Sequence, residues 1–207
     1  MSNKLTSQQL ATAAAAAGFE PRAVRAVIQV ETGGRGYDKI TGFLLIQFEP
    51  SWFRRKLPTA TAQAIAAAAT AVARHTATPA QAALLQDWVT TQANGVEGQV
   101  NERLAFDAAR RIDPHAADLA TSWGLPQMMG FNHAAGGFAT VEAMIEAFRQ
   151  AEANQLAAML RFIKATPRMA SALRKRDWGV FAYYYNGAGY KAFKYDKRLA
   201  QAYASLA

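Results

Sequence analysis

The stretch PRAVRAVIQVETGG, from Pro21 to Gly34, reads as an amphipathic helix with a definite start and stop. Pro21 suits a first helical turn, whose N–H groups have no intrahelical partner anyway, and Thr32-Gly33-Gly34 ends the helix. Between them Val24, Val27, Ile28 and Glu31 fall at i, i+3, i+4 and i+7, so one face carries apolar side chains and a carboxylate. Desolvation on such a face disfavours the ionised form, and the negative end of the helix dipole acts in the same direction. The Glu31 carboxyl is therefore expected to keep its proton to higher pH than an ordinary glutamate. The competing reading is a helix-end glutamate that is solvated or paired with Arg35.

Working outward, helical signals dominate. Thr6-x-x-Gln9 reads as a capping box opening a helix that Gly18 closes, which argues against a signal peptide over the alanine-rich run Leu10 to Ala17. Thr59 to Arg74 is an alanine-rich helix, and Thr78-Pro79-x-Gln81 caps another leading into Leu84, Leu85 and Trp88. A polar break at Asn94-Gly95-x-x-Gly98 precedes a helix through Leu104, Ala108 and Ile112, and Asp113-Pro114 opens a short one. From Val141 to Ile163 the apolar spacing predicts one long central helix, with Glu152 near its buried face and in need of a partner there. Pro167 starts a further helix, Asp177 caps one running to Tyr185, and Lys191 to Tyr203 closes the chain as a basic amphipathic helix. Only Thr41 to Phe48, with Phe43, Leu45, Ile46 and Phe48 after a Gly-rich turn, looks β-like. The expected fold is mainly α with one small β-hairpin, built as a single domain over residues 1–207.

Composition narrows the function. The 207 residues are 51% hydrophobic and 18% charged, enough apolar material for a core. Lys plus Arg is 23 and Asp plus Glu is 15, a net +8, which favours an acidic partner: nucleic acid, anionic lipid or an anionic wall polymer. With no cysteine, thiolate zinc sites and cysteine nucleophiles are excluded. His75, His115 and His133 show no H-x-x-x-H or H-x-x-E-H spacing, so neither a catalytic metal nor another cofactor is expected. No run reaches the roughly 18 apolar residues of a membrane span. Asp107, Asp113 and Asp118 read as surface or cap residues, and Arg174-Lys175-Arg176 with Lys191, Lys194, Lys197 and Arg198 reads as a solvated basic face.

Two further clusters accompany Glu31. Ser122-Trp123-Gly124-Leu125-Pro126-Gln127 joins small, turn-forming and amide residues, which lets backbone and Gln127 approach a ligand closely. Tyr183 to Tyr190 sets aromatic rings beside a Gly-flexed turn, suited either to core packing and a helix cap or to stacking on sugar faces. Val30-Glu31-Thr32-Gly33-Gly34, then Ser122-x-Gly124-Leu125-x-Gln127, then Tyr185-Asn186-Gly187-x-Gly189 resemble, in that order, three motifs of goose-type lysozymes and soluble lytic transglycosylases. The chain is still more similar to the N-acetylmuramidase family of endolysins from phages of Gram-negative bacteria. Gly42 to Glu49 resembles that family's Phe-Glu element, Ser122 to His133 its Ser-Trp-Gly run, and Tyr185 to Tyr195 its Tyr-Asn-Gly element. The likeness extends from about Thr6 to Tyr203.

The resemblance implies a lysozyme-like fold and hydrolysis of the β-1,4 bond between N-acetylmuramic acid and N-acetylglucosamine. It places Glu31 as general acid and Glu49 as the candidate second carboxylate, which would serve as nucleophile, water activator, a group orienting Glu31 or a structural partner of Arg54. Gln127, Asn132, Tyr185, Asn186 and Tyr190 match substrate-binding positions, and Ser122 a hydrogen-bond partner that positions Glu31. Bacterial peptidoglycan is the implied partner, with anionic outer-membrane lipid as an additional one, no nucleic acid, and a monomeric enzyme. No separate wall-binding domain is expected, and accumulation in the host cytoplasm with holin-type release is implied. A lytic transglycosylase leaving 1,6-anhydro ends is the alternative, ahead of a basic nucleic-acid module or a non-catalytic glycan binder.

Overall fold

The computed structural model describes residues 3–86 and 98–206. Its described residues are mainly helical, with a three-stranded sheet in the order β1 (Ile46–Phe48), β2 (Thr121–Trp123) and β3 (Met128–Met129). The chain forms two compact units, the first taking Met1–Leu45, Trp123–Met128 and Asn132–Ala207, the second Ile46–Ser122 and Met129–Phe131.

The first unit holds α1 (Ser7–Ala16), α2 (Pro21–Thr32), α8 (Val141–Gln150), α9 (Glu152–Ala165), α10 (Pro167–Lys175), α11 (Trp178–Asn186) and α12 (Tyr195–Ser205). The capping box forms as expected: Gln9 N donates to Thr6 Oγ1 at 3.1 Å and Thr6 N to Gln9 Oε1 at 2.9 Å. Val24, Val27 and Ile28 of α2 pack into one core with Leu156, Met159 and Ile163 of α9, Met169 and Leu173 of α10, and Phe181 of α11. Each such side chain, fully buried, contributes roughly 1.5–3 kcal/mol, so the face carrying Glu31 is firmly seated.

The long helix expected over Val141 to Ile163 is two helices, broken where Ala151 is extended (φ −162°, ψ 147°). The break frees the Phe148 carbonyl to accept from Tyr37 OH and Gln155 Nε2, both at 2.8 Å. It also presents the buried Glu152 carboxylate to Gly36 N at 2.6 Å and Leu5 N at 2.7 Å, so backbone amides supply the partners that this residue requires. Val141, Ile145 and Phe148 before the break and Leu156, Met159 and Ile163 after it are all buried, so the periodicity runs through the interruption without registering it. The closing helix likewise starts at Tyr195, not Lys191, because Lys194 sits in the left-handed region (φ 54°) after a 3₁₀ turn at Ala188–Lys191.

The hairpin also begins in the first unit. Tyr37 and Leu44 form an antiparallel bridge, with Asp38 N donating to Phe43 O at 2.8 Å and Leu45 N to Gly36 O at 2.9 Å. The Asp38 carboxylate holds the turn by accepting from Ile40 N and Thr41 N. Phe43 at its tip is 62% exposed and takes no part in a core.

The second unit carries α3 (Pro50–Lys56), α4 (Thr59–Ala73), α5 (Pro79–Gln86), α6 (Gln99–Ile112) and α7 (Pro114–Leu119) beside the sheet. Thr78 and Gln81 cap α5 reciprocally, and Asp113 caps α7 by accepting from Ala116 N at 2.8 Å. Trp88 and most of the expected polar break, Asn94 to Glu97, lie outside the described residues. The helix expected through Leu104, Ala108 and Ile112 forms as α6; Ala108 is buried with Glu102, Ala105, Phe106 and Ala109, while Leu104 is 60% exposed. Asp107 is exposed as expected, but Asp118 is buried, with its Oδ1 2.6 Å from Arg110 Nη1.

Candidate active site

Glu31 lies in the last turn of α2, which Gly33 ends in the left-handed conformation (φ 63°), its N–H donating to Gln29 O. The turn is tied from above: Thr32 Oγ1 is 3.2 Å from Leu125 O and 3.3 Å from Ile28 O. Leu125 belongs to the tight 124–127 loop, itself fixed by Leu125 N donating to the buried Gln155 Oε1 at 2.7 Å. Gly124 has φ 62°, and a Cβ there would stand 2.6 Å from Gln155 Oε1, so position 124 admits only glycine without rearrangement.

On the Glu31 carboxylate itself, Asn186 Nδ2 donates to Oε1 at 2.9 Å. Burial pushes the Glu31 pKa up to about 7, against the opposing pull of the Asn186 hydrogen bond and the Arg198 charge. Arg198 approaches from α12, donating to Val30 O at 2.9 Å with its guanidinium 4.9 Å from the Tyr195 ring centroid. Asn186 Oδ1 is buried with no hydrogen-bond partner among the described residues.

The neighbouring Tyr185 donates its hydroxyl to Pro126 O at 2.9 Å, stacks on Phe181 (5.2 Å, 22°) and meets Phe162 edge-on (5.7 Å, 72°). Burial, reinforced by the nearby Glu31 charge, holds its phenol well above the ordinary tyrosine range, so it remains a proton donor. α11 thus ends by delivering an amide to the acid and a phenol to the loop. Gln127 has φ 45° and folds its Nε2 back onto Gly124 O at 2.9 Å, closing the loop it belongs to. Asn132 ends a 3₁₀ turn and is half-buried, and its carbonyl accepts from Gly136 N. Tyr190 lies on the 3₁₀ turn after α11 and lines a trough with α10 and α11 residues, apart from the partners of Glu31.

In the second unit, Glu49 sits immediately before Pro50 at the start of α3. Its backbone N–H donates to Ala120 O, its Oε1 accepts from Gln47 Nε2 at 3.2 Å, and burial raises its pKa. Ser122 is buried on β2, its hydroxyl 3.4 Å from Gln47 O. The carboxylate that sequence reasoning missed is Glu102. It is buried in the first turn of α6, accepts from Phe48 N at 2.7 Å, and is pushed up to about 7 by burial and by the Glu49 charge. A signal was present: Ala105, Phe106 and Ala109 follow Glu102 at i+3, i+4 and i+7, the spacing that singled out Glu31. Among the described residues no three His, Asp or Glu side chains gather as metal ligands.

A carboxyl raised to about 7 by burial and held by a neutral amide at a helix end has the chemistry that a general acid requires. A model of the N-acetylmuramidase family matches residues 20–207. No curated protein matches the chain. Among solved structures, the crystal structure of the Burkholderia AP3 phage endolysin is similar over 100% of this chain and 72% of that one, at 32% identity and a TM-score of 0.76. The chain therefore belongs to the N-acetylmuramidase family, lysozyme-like glycoside hydrolases of the peptidoglycan.

Proposed function

We propose that this chain hydrolyses the β-1,4 bond between N-acetylmuramic acid and N-acetylglucosamine, with Glu31 donating a proton to the leaving glycosidic oxygen. The observation that carries the reading is the Glu31 carboxyl, raised to about 7 and gripped by Asn186 Nδ2 at 2.9 Å. A carboxyl at 4.5 surrenders nearly all of its proton by neutral pH, whereas one near 7 keeps about half and still releases it readily. As the glycosidic bond breaks, the proton passes to the departing oxygen and the resulting carboxylate is stabilised by the Asn186 amide and the Arg198 charge, the two groups that favour its ionised form.

Glu49 is the second carboxylate in this scheme, completing hydrolysis either as nucleophile or by activating water. Gln127, Asn132, Tyr185 and Asn186 bind the saccharide around the reacting bond, Tyr190 binds it further along, and Ser122 fixes the strand leading to the loop. The enzyme works as a monomer without a cofactor and reaches the wall after holin-type release, and its positive charge is directed at wall polymer and anionic outer-membrane lipid, not nucleic acid.

Glu31→Gln removes the proton and keeps the shape. It is expected to lower the rate of turbidity loss on permeabilised Gram-negative cells by at least about 10²-fold. Retained lysis overturns the reading. The alternative reading is a lytic transglycosylase, in which the sugar's own 6-hydroxyl attacks in place of water. The masses of released muropeptides separate the two, since hydrolysis adds a water and transglycosylation leaves a 1,6-anhydro end; Glu49→Gln should disable only the hydrolase.

A further inference from the structure

We propose that α11 carries, on the face opposite Glu31, a second glycan site: a basic, tyrosine-lined trough that holds an anionic stretch of the peptidoglycan strand away from the bond being cut. The inference rests on the peptidoglycan reading above. At 100° per residue, Phe181, Ala182, Tyr185 and Asn186 share the side of α11 that meets the core and Glu31, while Gly179, Val180, Tyr183 and Tyr184 share the other. That other side forms, with α10 and the turn at Tyr190, a trough of about 640 Å³, within the size range of sites for small organic ligands. None of Glu31, Asn186 or Gln127 lines it.

Its lining is specific in chemistry. The Tyr183 and Tyr184 rings meet at 88° with centroids 5.2 Å apart, making a corner, and Tyr183 is 50% exposed. The Tyr190 hydroxyl reaches over Gly179, where an added Cβ would stand 3.7 Å from it. Arg168 Nη1 donates to Tyr184 OH at 3.2 Å, and Lys175 adds a second cation from α10. The one acid on the lining, Asp177, is committed to capping α11 through Val180 N at 3.1 Å. Arg168 and Lys175 against the single carboxylate of Asp177 leave the lining with a net positive charge.

Ring faces suit the C–H faces of a pyranose, phenols and Ser171 suit its hydroxyls, and the cations suit carboxylates. A strand of N-acetylated sugars bearing carboxylate-rich stem peptides offers all three together. A phosphorylated lipid surface offers only the charge, and docking on a membrane calls for a broad apolar face, whereas this trough carries Arg168, Lys175 and Asp177 on its lining.

The test uses the full chain with Lys175→Ala and Tyr183→Ala combined, both exposed positions. In a Glu31→Gln background, retention on sedimented purified sacculi should weaken by about tenfold. With Glu31 intact, KM on sacculi should rise by a similar factor while kcat, thermal melting and turnover of short soluble peptide-free glycan stay unchanged. Capping the carboxylates of the sacculi as neutral amides, with a carbodiimide and a neutral amine, should bring the parent's retention down to the variant's level. Unchanged retention overturns the proposal, and so does retention on amidated sacculi equal to that on intact ones. An equal loss on the short soluble glycan also overturns it, because the trough would then belong to the reacting cleft, as does a loss confined to lipopolysaccharide vesicles. If the unmodified enzyme releases no fragments from sacculi, the catalytic reading fails, and the retention comparison still tests the trough.

Discussion

Glu31 is a case in which one side chain's surroundings set the working range of the protein. Its carboxyl is protonated below about pH 7 and loses its proton above, so a general acid of this kind gives kcat/KM with a basic limb centred near 7. Arg198 pulls that value down, because a cation favours the carboxylate. Replacing Arg198 with Gln is therefore expected to move the basic limb to higher pH on soluble substrate while leaving the plateau at low pH largely intact. A limb that stays in place would show that Arg198 has no hold on the acid. Glu31 was legible in the sequence because an acid on an apolar stripe is visible within a few residues. Arg198 was not: it sits 167 positions away in a helix of ordinary basic character, and only folding brings it to the end of α2.

At the scale of elements, most helix starts were legible because they are local chemistry, as at Thr6, Thr78, Asp113 and Asp177, each of which caps the helix expected of it. The failures share a cause. β2 and β3 are three and two residues long, too short for any alternation to register. The break at Ala151 was hidden because a single extended residue preserves the burial of the apolar positions on both sides. What identifies the break is tertiary, namely the hydrogen bonds of Glu152 and Gln155 to chain segments more than 25 residues away. Glu152→Ala leaves the Leu5 and Gly36 amides without their acceptor, and each buried donor so stranded costs about 1–3 kcal/mol. Urea unfolding should show a loss of roughly 2–4 kcal/mol, with Glu152→Gln losing less because its amide oxygen still accepts one bond. A loss below about 1 kcal/mol would mean that water takes over as the partner of both amides.

Across the whole molecule the raised carboxyls act in concert on stability. Glu31 and Glu102 both titrate at about 7 in the folded chain against 4.5 when unfolded, and Glu49 is raised as well. Between those values the folded state binds more protons than the unfolded one, so stability falls as pH rises from about 4.5 and levels off above about 7. The full loss is at most about 3 kcal/mol for Glu31 and smaller for Glu102, where solvent screens the carboxyl. In the opposite direction, the net charge of +8 grows as the remaining carboxylates protonate, and self-repulsion erodes stability at strongly acid pH. Melting temperature should therefore peak on the acid side of neutrality. Glu102→Gln separates the two contributions, since its amide oxygen still accepts from Phe48 N while its charge is gone. Its melting temperature should match the parent's near pH 4 and exceed it at about pH 8, and Glu31→Gln should show the same divergence. A difference that stays constant across that range would mean that these carboxyls titrate alike in the folded and unfolded chain, and the basis for Glu31 as a proton donor at neutral pH would go with it.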